Sequence, residues 1–233
     1  MRTDKEIYQN KPHDGLVPCN LHSKVCSHAS SQRKQILVLV ASSLWLCAIG
    51  TGFLFLLHYE RIEGPRSRAP ARWPEQTTLA RTVDDYTLVL FIHPKCPCSE
   101  ASLSELAVLV TRHPSLKSLV VFVKPDGVPA GWENSSNWEH AARIPGVRAI
   151  VDVGSKEAGL FGARTSGEIL LYDRAGKLVF SGGITPGRGH EGDSPGLASI
   201  DALLSEDLGR RLKVAPVYGC PLKDNPKPNR EIF

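Results

Sequence analysis

The stretch YTLVLFIHPKCPCS, residues 86–99, joins an apolar run to two cysteines that are one residue apart. The run Tyr86–His93 is rich in β-branched and aromatic side chains, which predicts a buried strand. Beyond the cysteines, apolar residues recur at the spacing of one helical face, which predicts a helix over Ser99–Arg112. The two cysteines therefore lie where a strand ends and a helix begins.

Short apolar runs alternate with helical segments through the rest of the C-terminal part. The predicted strands are Leu119–Val123, Val147–Val151, Ile169–Tyr172 and Leu178–Ser181. The predicted helices are Asn137–Arg143, Lys156–Phe161 and one that begins at Ser194-Pro195, a cap followed by proline. The order β-α-β-α-β-α-β-β-α predicts an α/β domain, in which a central mixed sheet is flanked by helices.

The composition is that of an ordinary globular protein. The chain has 233 residues, of which 42% are hydrophobic and 22% charged, and these values exclude wholesale disorder. The net charge is +4, but the 28 Lys and Arg residues are spread along the chain instead of forming a patch. We therefore expect no nucleic-acid partner. The six cysteines are too few for a disulfide-scaffolded mini-protein.

One uncharged apolar segment, ILVLVASSLWLCAIGTGFLFLL, covers residues 36–57. At a rise of about 1.5 Å per residue it is long enough to cross a hydrocarbon core of about 30 Å, which predicts a transmembrane helix. A cleaved signal peptide is disfavoured, because the segment is too long and begins too far along the chain. Tyr59 follows it, where an aromatic anchor at the membrane interface is expected. The membrane is therefore an expected partner.

The segments around the span and the α/β region complete the predicted organisation. Residues 1–35 form a polar N-terminal tail, and residues 58–81 form a Pro/Arg-rich, semi-rigid spacer. The folded domain covers residues 82–222 and is followed by a short C-terminal tail, residues 223–233. The N-terminal tail holds two cysteines and two histidines, but their spacing is not that of a zinc site (Cys19, His22, Cys26, His28).

The chemistry is expected at the two cysteines of residues 86–99. With Pro97 at the first helical position, Cys96 would be the N-cap, where unpaired N–H groups and the helix dipole stabilise a thiolate. Lys95 would act in the same direction. We therefore expect Cys96 and Cys98 to be the catalytic pair, with Cys96 as the nucleophile. The alternative is an inert disulfide between them, although such a bridge would close almost no loop.

Four short motifs occur in order around this pair: HPKCPC (93–98), TSG (165–167), SGGITPGRGHEGD (181–193) and PVYGCPL (216–222). They resemble the thioredoxin-like superfamily, in particular its membrane-tethered thiol–disulfide proteins, and are most similar to the bacterial RedB family. The resemblance implies a thioredoxin-like domain over residues 82–222, with Cys96 and Cys98 as the active thiols. Supporting roles would fall to residues of the four motifs (His93, Lys95, Ser166, Gly167, His190 and Cys220).

The chain departs from the superfamily's pattern in two places. One residue separates the cysteines where two are usual, so a Cys96–Cys98 disulfide would close a small, strained and labile ring. Gly167 stands at the position of the superfamily's cis-proline, and Ser166 stands where a threonine often precedes that proline. The proline that usually docks the substrate is therefore missing.

Two residues farther along the chain have several open roles. Cys220 could resolve a mixed disulfide, join a metal site or be a buried spectator. His190 could reach the sulfurs as a base or ligand, or it could be solvated while Asp193 and Ser194 cap the final helix.

Three functions are consistent with these residues. A membrane-anchored thiol–disulfide oxidoreductase would attack a partner disulfide with Cys96 and release the mixed intermediate with Cys98, and this reaction requires no cofactor. A metal-handling protein would bind Cu(I) through Cys96 and Cys98, with Cys220 or His190 as a further ligand. A thioredoxin-like adaptor would have no turnover.

The location of the domain follows from the first of these functions. Disulfide chemistry belongs in an oxidising compartment. We therefore expect a single-pass membrane protein with a cytoplasmic N-terminus and a C-terminal domain on the extracytoplasmic, periplasmic side. Its partners there would be protein thiols or disulfides.

Overall fold

The computed structural model describes residues 21–207 and 212–223, with side chains from residue 32 onward. The chain divides into two units, residues 1–55 and 56–233. The described part of the first unit is helical throughout and belongs to helix α1, Leu21–Glu60, whose last turn lies in the second unit. The stretch Gln32–Glu60 has a window with a mean hydropathy of 2.1 and no buried residues. It is long and apolar enough to cross a membrane.

Helix α1 begins earlier than predicted. Residues 21–35, which were expected to belong to a polar tail, are helical. Neither proline nor glycine occurs between Leu21 and Gln35, so nothing in the sequence stops the apolar helix from extending in this direction. The predicted group of cysteines and histidines in the tail lies outside the described residues or side chains (Cys19, His22, Cys26, His28).

The second unit contains a five-stranded mixed sheet. The strands are β1 (Thr87–Ile92), β2 (Lys117–Lys124), β3 (Val147–Val153), β4 (Glu168–Tyr172) and β5 (Leu178–Gly182). Their order in the sheet is β3-β2-β1-β4-β5. Strands β1, β2 and β3 are parallel, whereas β4 runs antiparallel to both β1 and β5. The predicted mixed sheet is confirmed, with strand boundaries within one to two residues of those expected.

Within the described residues, four helices accompany the sheet: α2 (Ser99–Arg112), α3 (Ser136–Arg143), α4 (Lys156–Leu160) and α5 (Pro195–Leu204). The α2 prediction matches at both ends. In α5, Ser194 is the N-cap and its hydroxyl accepts a hydrogen bond from the Leu197 N–H at 3.1 Å, with proline in the first turn. The predicted capped start of this helix is therefore confirmed.

Strand β1 is the centre of the domain, because every one of its side chains is buried. Leu88, Leu90 and Ile92 belong to one apolar cluster, which α2 and α5 cover. Val89 and Phe91 belong to a second cluster on the opposite face, with residues of α4. Burial on both faces explains why this strand is an uninterrupted apolar run instead of an alternating one. It also makes the end of β1 a rigid support for the loop that follows.

Most of the predicted spacer, residues 58–81, packs against the folded domain. We call residues 61–81 the strap. The Trp73 ring packs edge-on against Phe161 and Tyr172, with centroids 5.0 and 5.2 Å away. Leu79 is buried in the second apolar cluster. Backbone hydrogen bonds join Trp73 N–H to the Gly176 carbonyl and Gly64 N–H to the Val217 carbonyl, both at 2.8 Å.

The strap binds the domain because its few apolar side chains are large and meet a ready apolar face, so their burial outweighs the Pro/Arg-rich composition around them. The C-terminal residues 212–223 also pack on the domain, through hydrogen bonds with Ser181, Ser166 and Arg164. The predicted C-terminal tail lies outside the described residues, except for residue 223.

Candidate functional site

The loop between β1 and α2 holds Cys96 and Cys98. The Cys96 N–H donates to the His93 carbonyl at 3.0 Å, and the Ser99 N–H donates to the Cys96 carbonyl at 3.2 Å, so the loop consists of two successive turns. Helix α2 begins at Ser99 with Cys98 at the N-cap. The predicted N-cap position of Cys96 is therefore wrong, because Pro97 lies in a turn before the helix instead of at its first position.

Asn137, in the first turn of α3, fixes this loop from the side. Its Nδ2 atom donates to the Pro94 carbonyl at 3.1 Å and to the Cys96 carbonyl at 2.9 Å. The residue is 5% exposed, so both carbonyls are satisfied where water has little access. Sequence reasoning missed Asn137, since nothing in a single sequence connects it to a loop about forty residues earlier.

Three sulfur atoms meet beside the loop. The Sγ atoms of Cys96, Cys98 and Cys220 all lie within 4.8 Å of one another, and the three side chains are free thiols. Cys96 is only 1% exposed, whereas Cys98 and Cys220 are half-buried. The structure therefore brings the predicted pair together with the most distant of the candidate cysteines.

Cys220 is carried by a short extended stretch, Gly219–Leu222, which we call the C-terminal segment. It pairs antiparallel with residues 164–166: Ser166 N–H donates to the Cys220 carbonyl at 2.8 Å, and Leu222 N–H donates to the Arg164 carbonyl at 2.9 Å. Gly219 makes this approach possible, because a Cβ atom there would lie 1.9 Å from the Ser166 carbonyl oxygen. The pairing places Cys220 beside Cys96.

A chain of hydrogen bonds leads from the end of β1 to the Cys96 sulfur. The His93 N–H donates to the Ser166 hydroxyl at 2.7 Å. The Ser166 hydroxyl lies 2.7 Å from that of Ser99, and the Ser99 side chain in turn hydrogen-bonds the Cys96 sulfur. Because the Ser166 oxygen already accepts from His93, the Ser166 hydroxyl can donate its proton to the Ser99 oxygen. The Ser99 hydroxyl can then donate its own proton to the sulfur.

These contacts set the acidity of Cys96. Burial of the thiol favours its neutral form, but hydrogen bonds from Ser99, from the Cys220 thiol and N–H, and from the Cys98 backbone favour the thiolate. The hydrogen bonds outweigh the burial, so the pKa of Cys96 lies below its ordinary value. Ser99 is thus a second residue that sequence reasoning missed, and its position directly after the Cys-Pro-Cys motif was the available signal.

The other two thiols are shifted in the opposite direction. Burial and the neighbouring Cys96 raise the pKa of Cys98. Burial and the hydrogen bond that Cys220 donates to Cys96 raise the pKa of Cys220 to about 12. Cys96 is therefore the thiol of the three that ionises most readily, and the two thiols that surround it stay neutral to higher pH.

Ser166 and Gly167 lie at the end of β1, and Ser166 is linked to the Cys96 sulfur through Ser99. Gly167 has a φ of +92°, which side chains with a Cβ rarely adopt, and a Cβ there would lie 2.8 Å from the Ser102 hydroxyl. Its N–H donates to the Phe91 carbonyl at 2.8 Å. Gly167 thus brings the chain from the segment that pairs with Cys220 into strand β4, against β1.

Arg188 is the third residue that the sequence did not single out, although it lies inside the predicted motif 181–193. Its Nη1 atom donates to the Gly219 carbonyl at 2.6 Å, and its guanidinium lies 5.3 Å from the ring centroid of Tyr59. The positive charge also opposes the rise in the pKa of Cys98 and Cys220. Arg188 therefore supports the C-terminal segment and favours negative charge on the two outer thiols.

His190 does not join the sulfurs. Its Nε2 atom lies 3.3 Å from a carboxylate oxygen of Glu60, and the two side chains are 54% and 39% exposed. The hypothesis that His190 acts as a base or ligand at the sulfurs is not supported by this placement. The loop turns outward after Arg188, because Gly187 and His190 close a tight turn through their backbones.

Lys95 and His93 also have other contacts than those expected. The Lys95 ammonium lies 3.7 Å from the ring centroid of Trp132, a cation–π contact. The Trp132 ring also meets His93 edge-on, and the His93 Nδ1 atom accepts from the Lys95 N–H at 3.2 Å. The expected role of Lys95 in lowering the pKa of Cys96 is therefore wrong, since hydrogen bonds produce that effect and the lysine charge is directed at an aromatic ring.

Two kinds of chemistry fit this arrangement. A thiolate with two neutral thiols in reach can attack a disulfide and then be released from the mixed disulfide by either neighbour. Three sulfur atoms within 4.8 Å of one another could also hold a soft metal ion such as Cu(I).

No protein-family model matches the chain, and the comparison with curated proteins finds no relative. Solved structures do match. A hypothetical protein of Sinorhizobium meliloti is 22% identical, with a TM-score of 0.50 over 69% of this chain and 93% of that one. An uncharacterised conserved protein of Geobacillus kaustophilus is 21% identical, with a TM-score of 0.48 over 71% and 93%. A secreted disulfide oxidoreductase of Mycobacterium tuberculosis is 9% identical, with a TM-score of 0.37 over 52% and 81%.

Other matching structures are described as thioredoxin or thioredoxin-like proteins. At these levels of identity the similarity concerns the fold alone. The second unit therefore shares the fold of the Sinorhizobium meliloti protein, a mixed sheet with flanking helices. The site in this domain is a cluster of three cysteines at the junction of β1 and α2.

Proposed function

We propose that this protein is a membrane-anchored thiol–disulfide oxidoreductase that acts on an extracytoplasmic protein partner. The observation that carries the proposal is the Cys96 thiol, which has a lowered pKa and two further thiols within 4.8 Å. A thiolate is the attacking species in thiol–disulfide exchange, and a nearby second thiol is what releases the mixed disulfide. The cluster supplies both.

The reaction proceeds in two exchanges. The Cys96 thiolate attacks one sulfur of the partner's disulfide, which forms a mixed disulfide and releases one partner thiolate. Cys98 then attacks the Cys96 sulfur, releases the second partner sulfur as a thiolate and gives up its proton to a released thiolate. The partner gains two electrons, which the Cys96 and Cys98 thiols lose as they form a disulfide. The reverse sequence oxidises a partner dithiol.

Access to Cys96 requires a small movement, since this residue is 1% exposed. The C-terminal segment and Cys98 lie against its sulfur. The segment is held by main-chain hydrogen bonds to Arg164 and Ser166 and by Arg188 at Gly219. An approaching disulfide would displace it locally while β1 and α2 keep their positions.

The anchor would be helix α1, whose last turn belongs to the same unit as the three thiols. Within the second unit, the last turn of α1 contacts the loop beside the thiols: Arg188 N–H donates to the Glu60 carbonyl at 3.2 Å, and Tyr59 lies against the Arg188 guanidinium. The extracytoplasmic side is proposed because disulfides persist in oxidising compartments. Reporter fusions before α1 and after residue 223 test this orientation, and an active cytoplasmic reporter at the C-terminal end would contradict it.

The RedB-type relationship is part of the proposal. It is supported by the position of the motifs on which the resemblance rests. Ser166 of the TSG motif, Arg188 of the 181–193 motif and Cys220 of the 216–222 motif all surround the Cys-Pro-Cys loop. Four motifs that lie far apart in the sequence thus converge on one site.

Cu(I) handling is a second candidate, because three sulfur atoms lie within 4.8 Å of one another. Metal analysis of the protein after anaerobic exposure to Cu(I) distinguishes the two functions. Metal handling predicts one tightly bound copper that is lost in Cys96→Ser, Cys98→Ser and Cys220→Ser alike. It also predicts that no disulfide-linked partner accumulates.

A trapping experiment tests the oxidoreductase directly. In the variant that carries both Cys98→Ser and Cys220→Ser, Cys96 has no neighbour to release a mixed disulfide. We expect this variant to accumulate disulfide-linked partner proteins in membranes, at least ten times more than the same variant with Cys96→Ser added. Equal, background levels in both would contradict the proposed function and favour an adaptor without turnover.

A further inference from the structure

Cys220 contacts the reactive sulfur more closely than a spectator would. Its thiol and its backbone N–H both hydrogen-bond the Cys96 sulfur. Its own Sγ atom lies within 4.8 Å of those of Cys96 and Cys98. The sulfurs of Cys96 and Cys220 are therefore direct neighbours, although the two chain segments that carry them are far apart in sequence.

The position of Cys220 is fixed by more than its own side chain. The Ser166 N–H donates a hydrogen bond to the Cys220 carbonyl. After Cys220, the Leu222 N–H donates to the Arg164 carbonyl, and before it, the Arg188 guanidinium donates to the Gly219 carbonyl. The absence of a Cβ at Gly219 permits the close approach to Ser166. These contacts all act to present the thiol to Cys96.

We propose that Cys220 is a third redox cysteine. It replaces Cys98 as the disulfide partner of Cys96, and the oxidised protein rests with a Cys96–Cys220 disulfide. The inference rests on the proposed function, since a partner disulfide supplies the oxidation. The Cys220 thiol gives up its proton as its sulfur attacks the Cys96 sulfur of the Cys96–Cys98 disulfide, a Cys96–Cys220 bond forms, and the Cys96–Cys98 bond breaks. Cys98 leaves as a thiolate and takes the proton that Cys220 gave up, so no electrons are gained or lost in this step.

Ring size gives the direction of this exchange. A Cys96–Cys98 bridge encloses one residue, so it closes a small, strained ring, and strained bridges are more easily reduced. A Cys96–Cys220 bridge joins two segments that the fold already holds side by side, so it closes no such small ring and is harder to open. The released Cys98 thiolate is favoured by the positive charge of Arg188, and Cys98, as the more exposed of the original pair, is then available to the solvent.

The test is disulfide mapping of the full chain in detergent, with Cys19, Cys26 and Cys47 replaced by serine so that only the cluster can react. The protein is oxidised with glutathione disulfide, its remaining thiols are alkylated, and the non-reduced peptides are identified by mass spectrometry. We expect Cys96–Cys220 as the main bridge with Cys98 alkylated. Adding Cys98→Ser should leave this bridge in place, whereas adding Cys220→Ser should give a Cys96–Cys98 bridge that opens at a tenfold lower dithiothreitol concentration.

A main Cys96–Cys98 bridge with Cys220 alkylated would overturn the inference and leave the proposed function intact. So would a persistent glutathione adduct on Cys96 in the Cys98→Ser variant, since Cys220 would then have failed to resolve it. If Cys96 forms neither an adduct nor a bridge under any of these conditions, the proposed function itself is contradicted and the inference with it.

Discussion

The hydroxyl of Ser166 lies 2.7 Å from the hydroxyl of Ser99, although the two residues belong to different elements. Ser166 precedes β4 and is held by the His93 N–H at the end of β1, while Ser99 is the first residue of α2. Through this contact, the sheet orients the hydroxyl that donates to the Cys96 sulfur. The acidity of the thiol therefore depends on the junction between sheet and helix.

Ser99→Ala should raise the pKa of Cys96, because the thiolate loses a hydrogen bond from a hydroxyl. The pH dependence of the ultraviolet absorbance of the thiolate measures this change. Ser166→Ala should raise the same pKa by a smaller amount, since it only removes the orientation of Ser99. Ser104→Ala, on the same helix, is the control, and an equal effect of all three substitutions would contradict the hydrogen-bond chain.

Asn137→Ala should destabilise the domain by about 2 kcal/mol, because the buried carbonyls of Pro94 and Cys96 lose their donor. Asn137→Asp has nearly the same shape but presents an oxygen to both carbonyls, so it should destabilise at least as much. Urea unfolding measures both changes. If Asn137→Asp is as stable as the wild type, the amide does not hold the cysteine loop.

Arg188 and His190 form a matched pair, two residues apart in one loop. Arg188→Ala should slow the alkylation of Cys98 at neutral pH severalfold, because the guanidinium opposes the rise in the pKa of Cys98. His190→Ala should leave that rate unchanged, since its ring contacts Glu60 and not the sulfurs. Measuring the alkylation rate of each cysteine separately distinguishes the two variants. A slower rate in His190→Ala would show that His190 acts on the sulfurs.

The strap predicts how far the chain can be shortened. A chain that begins at Arg81 lacks Trp73, Leu79 and the hydroxyls of Thr77 and Thr78 that bind the Glu157 carboxylate. We expect it to unfold at a clearly lower urea concentration than a chain that begins at Leu56. Trp73→Ala in the longer chain should account for about 2–3 kcal/mol of the difference. Equal midpoints for the two chains would show that the strap adds no stability.

Much of the fold was predictable because it depends on local patterns. The uninterrupted apolar run of β1, the helical spacing of α2 and the Ser194-Pro195 start of α5 each determine an element from neighbouring residues. The strap was not predictable in this way. Trp73 and Leu79 are isolated in a Pro/Arg-rich stretch, and only the face they meet shows that they are buried.

The sequence predicted which cysteines form the site, but it did not predict what lowers the pKa of Cys96. The Cys-Pro-Cys motif and its place between a strand and a helix identified Cys96 and Cys98, and the resemblance added Ser166, Gly167 and Cys220. The expected causes of the thiolate's stability, an N-cap and Lys95, were wrong, because a shift of the helix start by two residues moves Cys96 off the cap. The actual donors include Ser99, which follows the motif directly but is oriented by Ser166, and Cys220, which lies more than a hundred positions later.

The most direct test is the pKa of Cys96 itself. It is read from the ultraviolet absorbance of the thiolate in the full chain with Cys19, Cys26 and Cys47 replaced by serine, as the difference from the same protein with Cys96→Ser. The hydrogen bonds at the sulfur predict that Cys96 ionises first of the three thiols, with a pKa below the free value of about 8.5. A Cys96 that ionises at or above that value, or after Cys98, would contradict the account of this site as an activated thiol.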